Sequence, residues 1–290
     1  MAYSLYRLLR QAERFLEKAG IPDARYASET LLCLSLGFSR PSALYVRSVD
    51  ISRSHLRHFI RNVRRRAAGY PLQYITGRGG FRNLELRVGE GVLIPRPETE
   101  TVVQYCLESL SGIEHPRILD IGTGSGNIAI AVSQECPGCR VVSVDVSPQA
   151  LAYARENART ARLCGDVYFI AGDCFQPVRP ACDFDCIVSN PPYIRRGDMS
   201  ELPPEVRHEP RTALDGGSDG LDFYRRICRD AFRFLRPGGQ LICEIGSDQA
   251  HDVLALLHGS GCSDCAVHHD LTGRDRIITA RKPLQEQSGS

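Results

Sequence analysis

The stretch Arg117-Ile118-Leu119-Asp120-Ile121-Gly122-Thr123-Gly124-Ser125-Gly126-Asn127 decides the fold. An apolar run passes into three closely spaced glycines and then into the apolar helix Ile128 to Ser133, which is the order strand, glycine turn, helix. Glycines let the backbone approach a ligand closely, and a helix N-terminus offers free N–H groups to an anion. The spacing is G-x-G-x-G. The dinucleotide fingerprint G-x-G-x-x-G needs Gly at 127, where Asn127 stands. A lone glycine loop is weak evidence, so the following strands carry the argument. Val141-Val142-Ser143-Val144 reads as a second strand ending on Asp145, an acid placed to suit a ribose diol. Val167 to Ala171 reads as a third, ending at Gly172-Asp173, and this acid can take an adenine amine. Taken singly, each acid is more often a plain N-cap or turn residue.

The fourth strand supplies what the first three lack. Phe184-Asp185-Cys186-Ile187-Val188 is an apolar run followed by Ser189-Asn190-Pro191-Pro192-Tyr193, where two prolines end it. The Asn190 carboxamide can accept a hydrogen bond from a planar NH2, and a proline-flanked carbonyl can accept the second. The Tyr193 ring can cover the flat face. Such a pocket suits an sp2 nitrogen that is to be methylated; the plain alternative is a loop that ends a strand. Glycine loop, two acids and amide pocket at successive strand ends point to S-adenosylmethionine as methyl donor, leaving S-adenosylhomocysteine as product.

The 290 residues are enough for one large or two modest domains with a full core. The chain is 42% hydrophobic and 24% charged, ordinary for a soluble globular protein. No apolar run nears the ~20 residues of a membrane span. Met1-Ala2-Tyr3-Ser4-Leu5-Tyr6-Arg7 lacks the long apolar region and cleavage site of a signal peptide, which makes the cytoplasm the expectation. Of the 12 cysteines, Cys136 with Cys139 and Cys262 with Cys265 form two C-x-x-C pairs. Their separation far exceeds zinc-ribbon spacing, so no metal is expected. Cys33, Cys106, Cys186, Cys228 and Cys243 fall on apolar faces as small core hydrophobes. Disulfides are not expected in a reducing cytosol. The net charge of +2 is uneven: residues 1–80 carry +9 and the remainder −7. A basic module joined to an acidic one suits an anionic partner, nucleic acid or an acidic protein face. The plain alternative is that Arg53 to Arg66 forms one solvated helix face.

Helical periodicity covers residues 1–70. Leu5 to Ala19 is stopped by Gly20-Ile21-Pro22; Asp23 caps a second helix that ends at Gly37; Ser52 caps a third that ends at Gly69 and Pro71. Residues 71–95 form a linker in which Phe81 to Val88 alternates and Gly89-Glu90-Gly91 turns, which predicts a short β-hairpin. Strand–helix alternation from about residue 112 predicts a doubly wound sheet, in a domain over 96–284. Gly220 to Leu235 is expected as helix, Pro237-Gly238-Gly239 as turn, Gln240 to Ile245 as the fifth strand, and 266–269 with 276–280 as a closing pair. Residues 285–290 read as a loose polar tail.

Several of these stretches resemble the HemK/PrmC family of peptide chain release factor glutamine methyltransferases over nearly the whole chain. The matching segments are Pro71 to Gly77, Leu93-Ile94-Pro95-Arg96-Pro97-Glu98-Thr99-Glu100, Asp120 to Gly126, Ser189 to Ile194, Gly217 to Asp222, Pro237 to Gly239, and Glu244 to Gly246. N-P-P-Y alone is shared with DNA adenine methyltransferases; together with the 93–100 segment it is far more specific. The resemblance implies an α/β fold, a class I S-adenosylmethionine-dependent methyltransferase domain with a seven-stranded sheet, behind an N-terminal helical bundle that docks substrate. It implies methyl transfer to the glutamine amide of the Gly-Gly-Gln motif in class I release factors. Carried over residue by residue, Gly122, Thr123, Gly124, Ser125, Gly126, Asp145, Asp173, Cys174 and Asn190 bind the cofactor. Asn190, Pro191, Pro192 and Tyr193 hold the glutamine amide, with Asn190, Pro191 and Tyr193 as the catalytic set. Cys174 stands where the family often has Trp, and the chain has no Trp. The expected partners are class I release factors, with no direct nucleic-acid contact, no membrane and a monomeric state.

An amide nitrogen is a poor nucleophile because its lone pair is delocalised, so orientation and a matched electrostatic field are expected to supply the catalysis. His208 lies near the pocket in sequence and is read as structural. Two alternatives remain: a nucleic-acid adenine amine methyltransferase using the same pocket, and a release-factor-binding protein without catalysis. Residues 1–70 carry no recognisable nucleic-acid module, and Asp145 and Asn190 speak against the second.

Overall fold

A computed structural model of the chain describes residues 5–39, 44, 51–180, 183–270 and 272–284. The tail from Gln285, expected to be loose, lies outside the described residues, as do Met1 to Ser4. The chain divides into two compact units. One holds the residues up to Arg78 together with Pro203–His208; the other holds Gly79–Leu202 and the chain from Glu209 onward.

The first unit contains α1 (Leu5–Lys18), α2 (Ala24–Leu36), α3 (Arg53–Ala67) and the short α4 (Leu72–Thr76). Leu9, Leu16, Leu31, Leu32, Phe59 and Val63 are buried together as its core. Gly37 takes a left-handed φ of 72° and closes α2 with its N–H on the Cys33 carbonyl. The Ser52 hydroxyl accepts the His55 N–H and caps α3. Asp23 departs from expectation. It makes no side-chain cap bond, and its carboxylate instead accepts Nη2 of Arg66 at 2.9 Å. Arg66 is 2% exposed and also pairs with Glu205 at 2.8 Å, so the basic run of α3 is not wholly a solvated face. His208 packs against Tyr70, ring centroids 4.9 Å apart and planes tilted by 57°.

The second unit opens with the hairpin β1 (Arg78–Phe81) and β2 (Leu84–Arg87). Its turn is Arg82-Asn83, with Arg82 at φ 50°, and not Gly89-Glu90-Gly91. Those glycines serve close packing: a Cβ on Gly89 would meet the Tyr153 hydroxyl at 2.2 Å. The main sheet has strands β3 (Arg117–Ile121), β4 (Arg140–Asp145), β5 (Asp166–Ala171), β6 (Phe184–Ser189), β7 (Leu235–Glu244), β8 (Ser263–His269) and β9 (Asp275–Arg281). Their order is β5-β4-β3-β6-β7-β9-β8. β3 to β7 run parallel, and β9 is antiparallel to both neighbours. Pro237-Gly238-Gly239 is not a free turn but lies inside β7. The extra residues are absorbed between Phe184↔Leu235 and Cys186↔Gln240 as an irregularity in the ladder. The helix expected over Gly220 to Leu235 is shorter, α8 (Asp222–Asp230) followed by a 3-10 turn.

Successive strand residues enter opposite layers, as pleating requires. Ile118, Cys186 and Ile242 pack with α5 (Glu100–Ser109) and α6 (Asn127–Glu135). Leu119, Ile187 and Leu241 pack with α8 and α9 (Ala250–His258). Helices on both faces explain why the central strands read as unbroken apolar runs. Cys33, Cys106, Cys186, Cys228 and Cys243 are all buried in these cores.

Candidate active site

The strand order reverses at β3, which has β4 on one side and β6 on the other. Ligands of doubly wound sheets bind at that reversal, beyond the strands' carboxyl ends. Ile121 pairs with Ser189, so the glycine loop and Asn190 leave neighbouring strands side by side. A cleft open to solvent lies there. It is lined by all of Gly122 to Ser125 and by Asp145, Asp173, Cys174, Asn190, Pro191 and Pro192.

The loop has the shape the glycines were read to give. Gly122, Gly124 and Gly126 have φ of 77°, 56° and 82°, values that disfavour any side chain. A Cβ on Gly122 would meet nothing within 4 Å, and one on Gly124 only Val92 at 3.9 Å. Both positions thus leave space in the cleft, whereas Gly126 packs against Ile130 and Ala154. Asp145 binds the loop to the tip of β4, its two oxygens accepting the N–H groups of Gly124 and Ser147, each at 2.8 Å. Burial raises the Asp145 pKa, and those N–H groups oppose the rise. Behind the loop, Asp120 is fully buried and pushed up to about 7 by burial, against the Thr123 and Ser143 hydroxyls. Its Oδ1, like the Ser125 hydroxyl, is buried without a hydrogen-bond partner. Buried Asn157 on α7 (Pro148–Thr160) donates to the Ser125 carbonyl at 2.9 Å and clasps the Arg87 backbone.

At the tip of β5, Asp173 pairs with Nη2 of Arg226 at 2.6 Å. Cys174 is buried with φ 48°, and burial pushes its thiol up to about 11. Phe223 and Ile227 of α8 and the exposed Val146 complete that wall. The sequence singles out none of these three, because an apolar residue carries no local mark of lining a cleft, whether on a helix (Phe223, Ile227) or in a loop (Val146).

At the tip of β6, Asn190 is half-buried and donates Nδ2 to the Thr99 hydroxyl at 2.9 Å. Among the described residues none donates to its Oδ1. Pro191 is buried. Tyr193 does not line the cleft; its ring packs against the core, and burial pushes its phenol up to about 12. The Tyr193 carbonyl accepts Nε2 of Gln249 at 3.0 Å. Close beneath lie two glycines: a Cβ on Gly216 would meet the Pro192 carbonyl at 2.8 Å, and one on Gly220 the Tyr193 carbonyl at 2.5 Å. Pro95, Arg96 and Thr99 also line the cleft; buried Glu209 holds the 94–96 segment, accepting the Ile94 N–H at 3.0 Å and pairing with Arg96.

These residues fit S-adenosylmethionine. The glycine loop leaves backbone-lined space, unpaired polar atoms lie under it, acids stand at two strand tips, and an apolar wall faces them. No helix among the described residues is long and apolar enough to cross a membrane. Comparisons with known proteins agree. Residues 99–205 match the family described as methyltransferase small domain, and residues 7–77 match the PrmC N-terminal domain. The solved methyltransferase of Pyrococcus furiosus shares the fold, with a TM-score of 0.50 and 18% identity over 69% of this chain and 90% of that one. The release factor glutamine methyltransferase of Moorella thermoacetica is 42% identical over 278 residues, 96% of this chain and 98% of the relative. That of Geobacter sulfurreducens is 42% identical over 282 residues, 96% and 97%.

Strand order, glycine loop and strand-tip acids define a class I S-adenosylmethionine-dependent methyltransferase. The two long matches narrow this further. The chain belongs to the release factor glutamine methyltransferase family.

Proposed function

We propose that the protein methylates the side-chain amide nitrogen of the glutamine in the Gly-Gly-Gln motif of class I peptide chain release factors. The observation that carries this reading is the Asn190 carboxamide, which lines the cleft beside the glycine loop where the strand order reverses and gives its NH2 to Thr99, leaving Oδ1 as a free acceptor. S-adenosylmethionine, when bound, supplies an electrophilic methyl group on a sulfonium. Gly122 to Gly126 and Asp145 hold it, with Asp173 and Cys174 at its adenine end. Asn190 Oδ1 and the Pro191 carbonyl accept the two amide hydrogens of the glutamine and fix its plane, while Pro192 and the anchored Tyr193 backbone keep the acceptors in place. The nitrogen then faces the methyl with its geometry preset, which is how a weak nucleophile gains most. A new N–C bond forms as the methyl's bond to sulfur breaks, its electron pair stays on sulfur, and one amide proton leaves to solvent.

A pocket that reads one flat amide cannot select a protein, so the helical unit, with the +9 of residues 1–80, is the dock for the release factor. Complementary charge there speeds encounter and sets register. The enzyme works as a cytoplasmic monomer without direct nucleic-acid contact. Labelled cofactor offered with a purified release factor, or with adenine-containing nucleic acid, tests the reading. Label should enter the release factor glutamine and not the nucleic acid. Asn190→Ala should lower turnover by at least ~100-fold, the scale of one well-placed catalytic hydrogen bond, while cofactor binding stays measurable by calorimetry. Near-normal turnover in this variant would sink the amide pocket.

A further inference from the structure

Behind Asn190 stands a carboxylate that the methyl transfer described above does not use. Glu244, the last residue of β7, is 1% exposed. Its Oε2 accepts the Thr99 hydroxyl at 2.6 Å. Thr99 is itself 1% exposed, and its Oγ1 accepts Nδ2 of Asn190 at 2.9 Å. Three elements far apart in sequence thus meet in one chain of hydrogen bonds.

That chain has a polarity. An ionised carboxylate has no hydrogen to give, so the Thr99 hydroxyl must donate to it. Only lone pairs then remain on Thr99 Oγ1, and only a donor can approach them. The Asn190 NH2 is therefore drawn toward Thr99, which turns Oδ1 toward the cleft. Without the relay, a carboxamide has two orientations of nearly the same shape that exchange oxygen and nitrogen. The exchanged one would meet a substrate NH2 with an NH2, donor against donor. We propose that Glu244 and Thr99 are positioning residues that hold Asn190 in its acceptor orientation; the inference rests on Asn190 being the amide anchor.

Protonation of Glu244 removes the polarity. A protonated Glu244 can donate to Thr99 Oγ1, and the Thr99 hydroxyl can then turn to donate to the oxygen of an exchanged Asn190. Burial pushes Glu244 up to about 7, opposed by the Thr99 hydroxyl and by Arg276 and Arg96, and assisted by Glu98. Arg276 faces it from β9, and Arg96 and Glu98 from the segment ahead of α5. The phenols of Tyr193 and of Tyr224, whose hydroxyl donates to the Glu244 carbonyl at 2.8 Å, stay uncharged across this range. Turnover should consequently fall as pH drops through about 7. Asp120 is also held at about 7, but Glu244→Gln leaves Asp120 in place, so a flattened profile in that variant assigns the titration to Glu244.

The test uses the full chain with a purified release factor and labelled cofactor, comparing Thr99→Val, Thr99→Ser, Glu244→Gln and Asn190→Ala. Thr99→Val should lower kcat by ~10–100-fold, the scale of misaligned reacting groups, with cofactor affinity unchanged. Thr99→Ser, which restores the hydroxyl, should recover most of it. Between pH 8 and pH 6 the wild-type kcat should drop about tenfold, as a group titrating at about 7 demands. Glu244→Gln should flatten that drop to less than about twofold. A Thr99→Val enzyme with normal kcat, or a Glu244→Gln enzyme that keeps the wild-type pH profile, overturns the relay. If Asn190→Ala itself remains active, the failure lies in the amide anchor, a separate and visible result.

Discussion

In the proposed site one carboxylate, Asp145, serves both protein and ligand. Its oxygens already accept Gly124 and Ser147 N–H groups, yet each retains a lone pair for a ribose hydroxyl. Asp145→Ala should weaken S-adenosylmethionine by about 1.5–3 kcal/mol, the scale of charge-assisted bonds, and calorimetry reads it directly. Unchanged affinity would put the ribose elsewhere. Asp120 acts differently. Burial lifts its pKa from the usual carboxylate range to about 7, so the folded protein prefers the protonated acid. As pH rises from about 4 to about 7 the unfolded chain ionises first and folding stability declines; above about 7 the loss is complete. Asp120→Asn cannot ionise, so its thermal midpoint should vary less with pH across that window. An equal slope in both proteins would mean Asp120 is not the group responsible.

The element that presents the proposed amide pocket is a loop resting on glycine. Gly216 and Gly220 lie where any Cβ would strike the 192–193 backbone, and Gly220 also has φ 80°. Gly220→Ala should cost roughly 1–3 kcal/mol of stability, as forced backbone conformations do, and should lose turnover beyond what its melting temperature explains. A variant with wild-type kcat would show that the loop tolerates displacement. The strands feeding this site were legible because each is an apolar run ending on a polar residue. The parts that misled share one cause: glycine and proline mark turns only when nothing packs against them. Pro237-Gly238-Gly239 looks like a turn and is a kink within β7. Gly89-Glu90-Gly91 looks like a hairpin turn, but its glycines make room for Tyr153 and Gln149. The true turn, Arg82-Asn83, has no such mark.

At the scale of the whole molecule, what the sequence hid were pairings across long separations. Glu209 holds Ile94 from 115 positions away, and Glu244 reaches Thr99 across 145; neither leaves a local pattern. The charge split, by contrast, was visible at once. Arg57, Arg61 and Arg64 share a shallow surface hollow on α3 with exposed Ile60. Arg65 is a poorer probe because it lies over the Tyr70 ring at 4.1 Å. Replacing Arg57, Arg61 and Arg64 by Ala should raise KM for the release factor at low salt, converge with wild type at high salt as screening removes the difference, and leave cofactor affinity unchanged. An unchanged KM at low salt would leave the bundle as a cap only. One feature of the helical unit also bears on how such enzymes are recombined. Pro203–His208 belongs to it, and buried Arg66 depends on Glu205 as well as Asp23. A bundle transplanted from another family member as a single N-terminal block would arrive without its six-residue partner segment Pro203–His208, leaving a buried guanidinium facing a stranger's residue. The six-residue piece must travel with the bundle, so helical unit and main sheet are inherited as one interleaved text and not as two exchangeable cassettes.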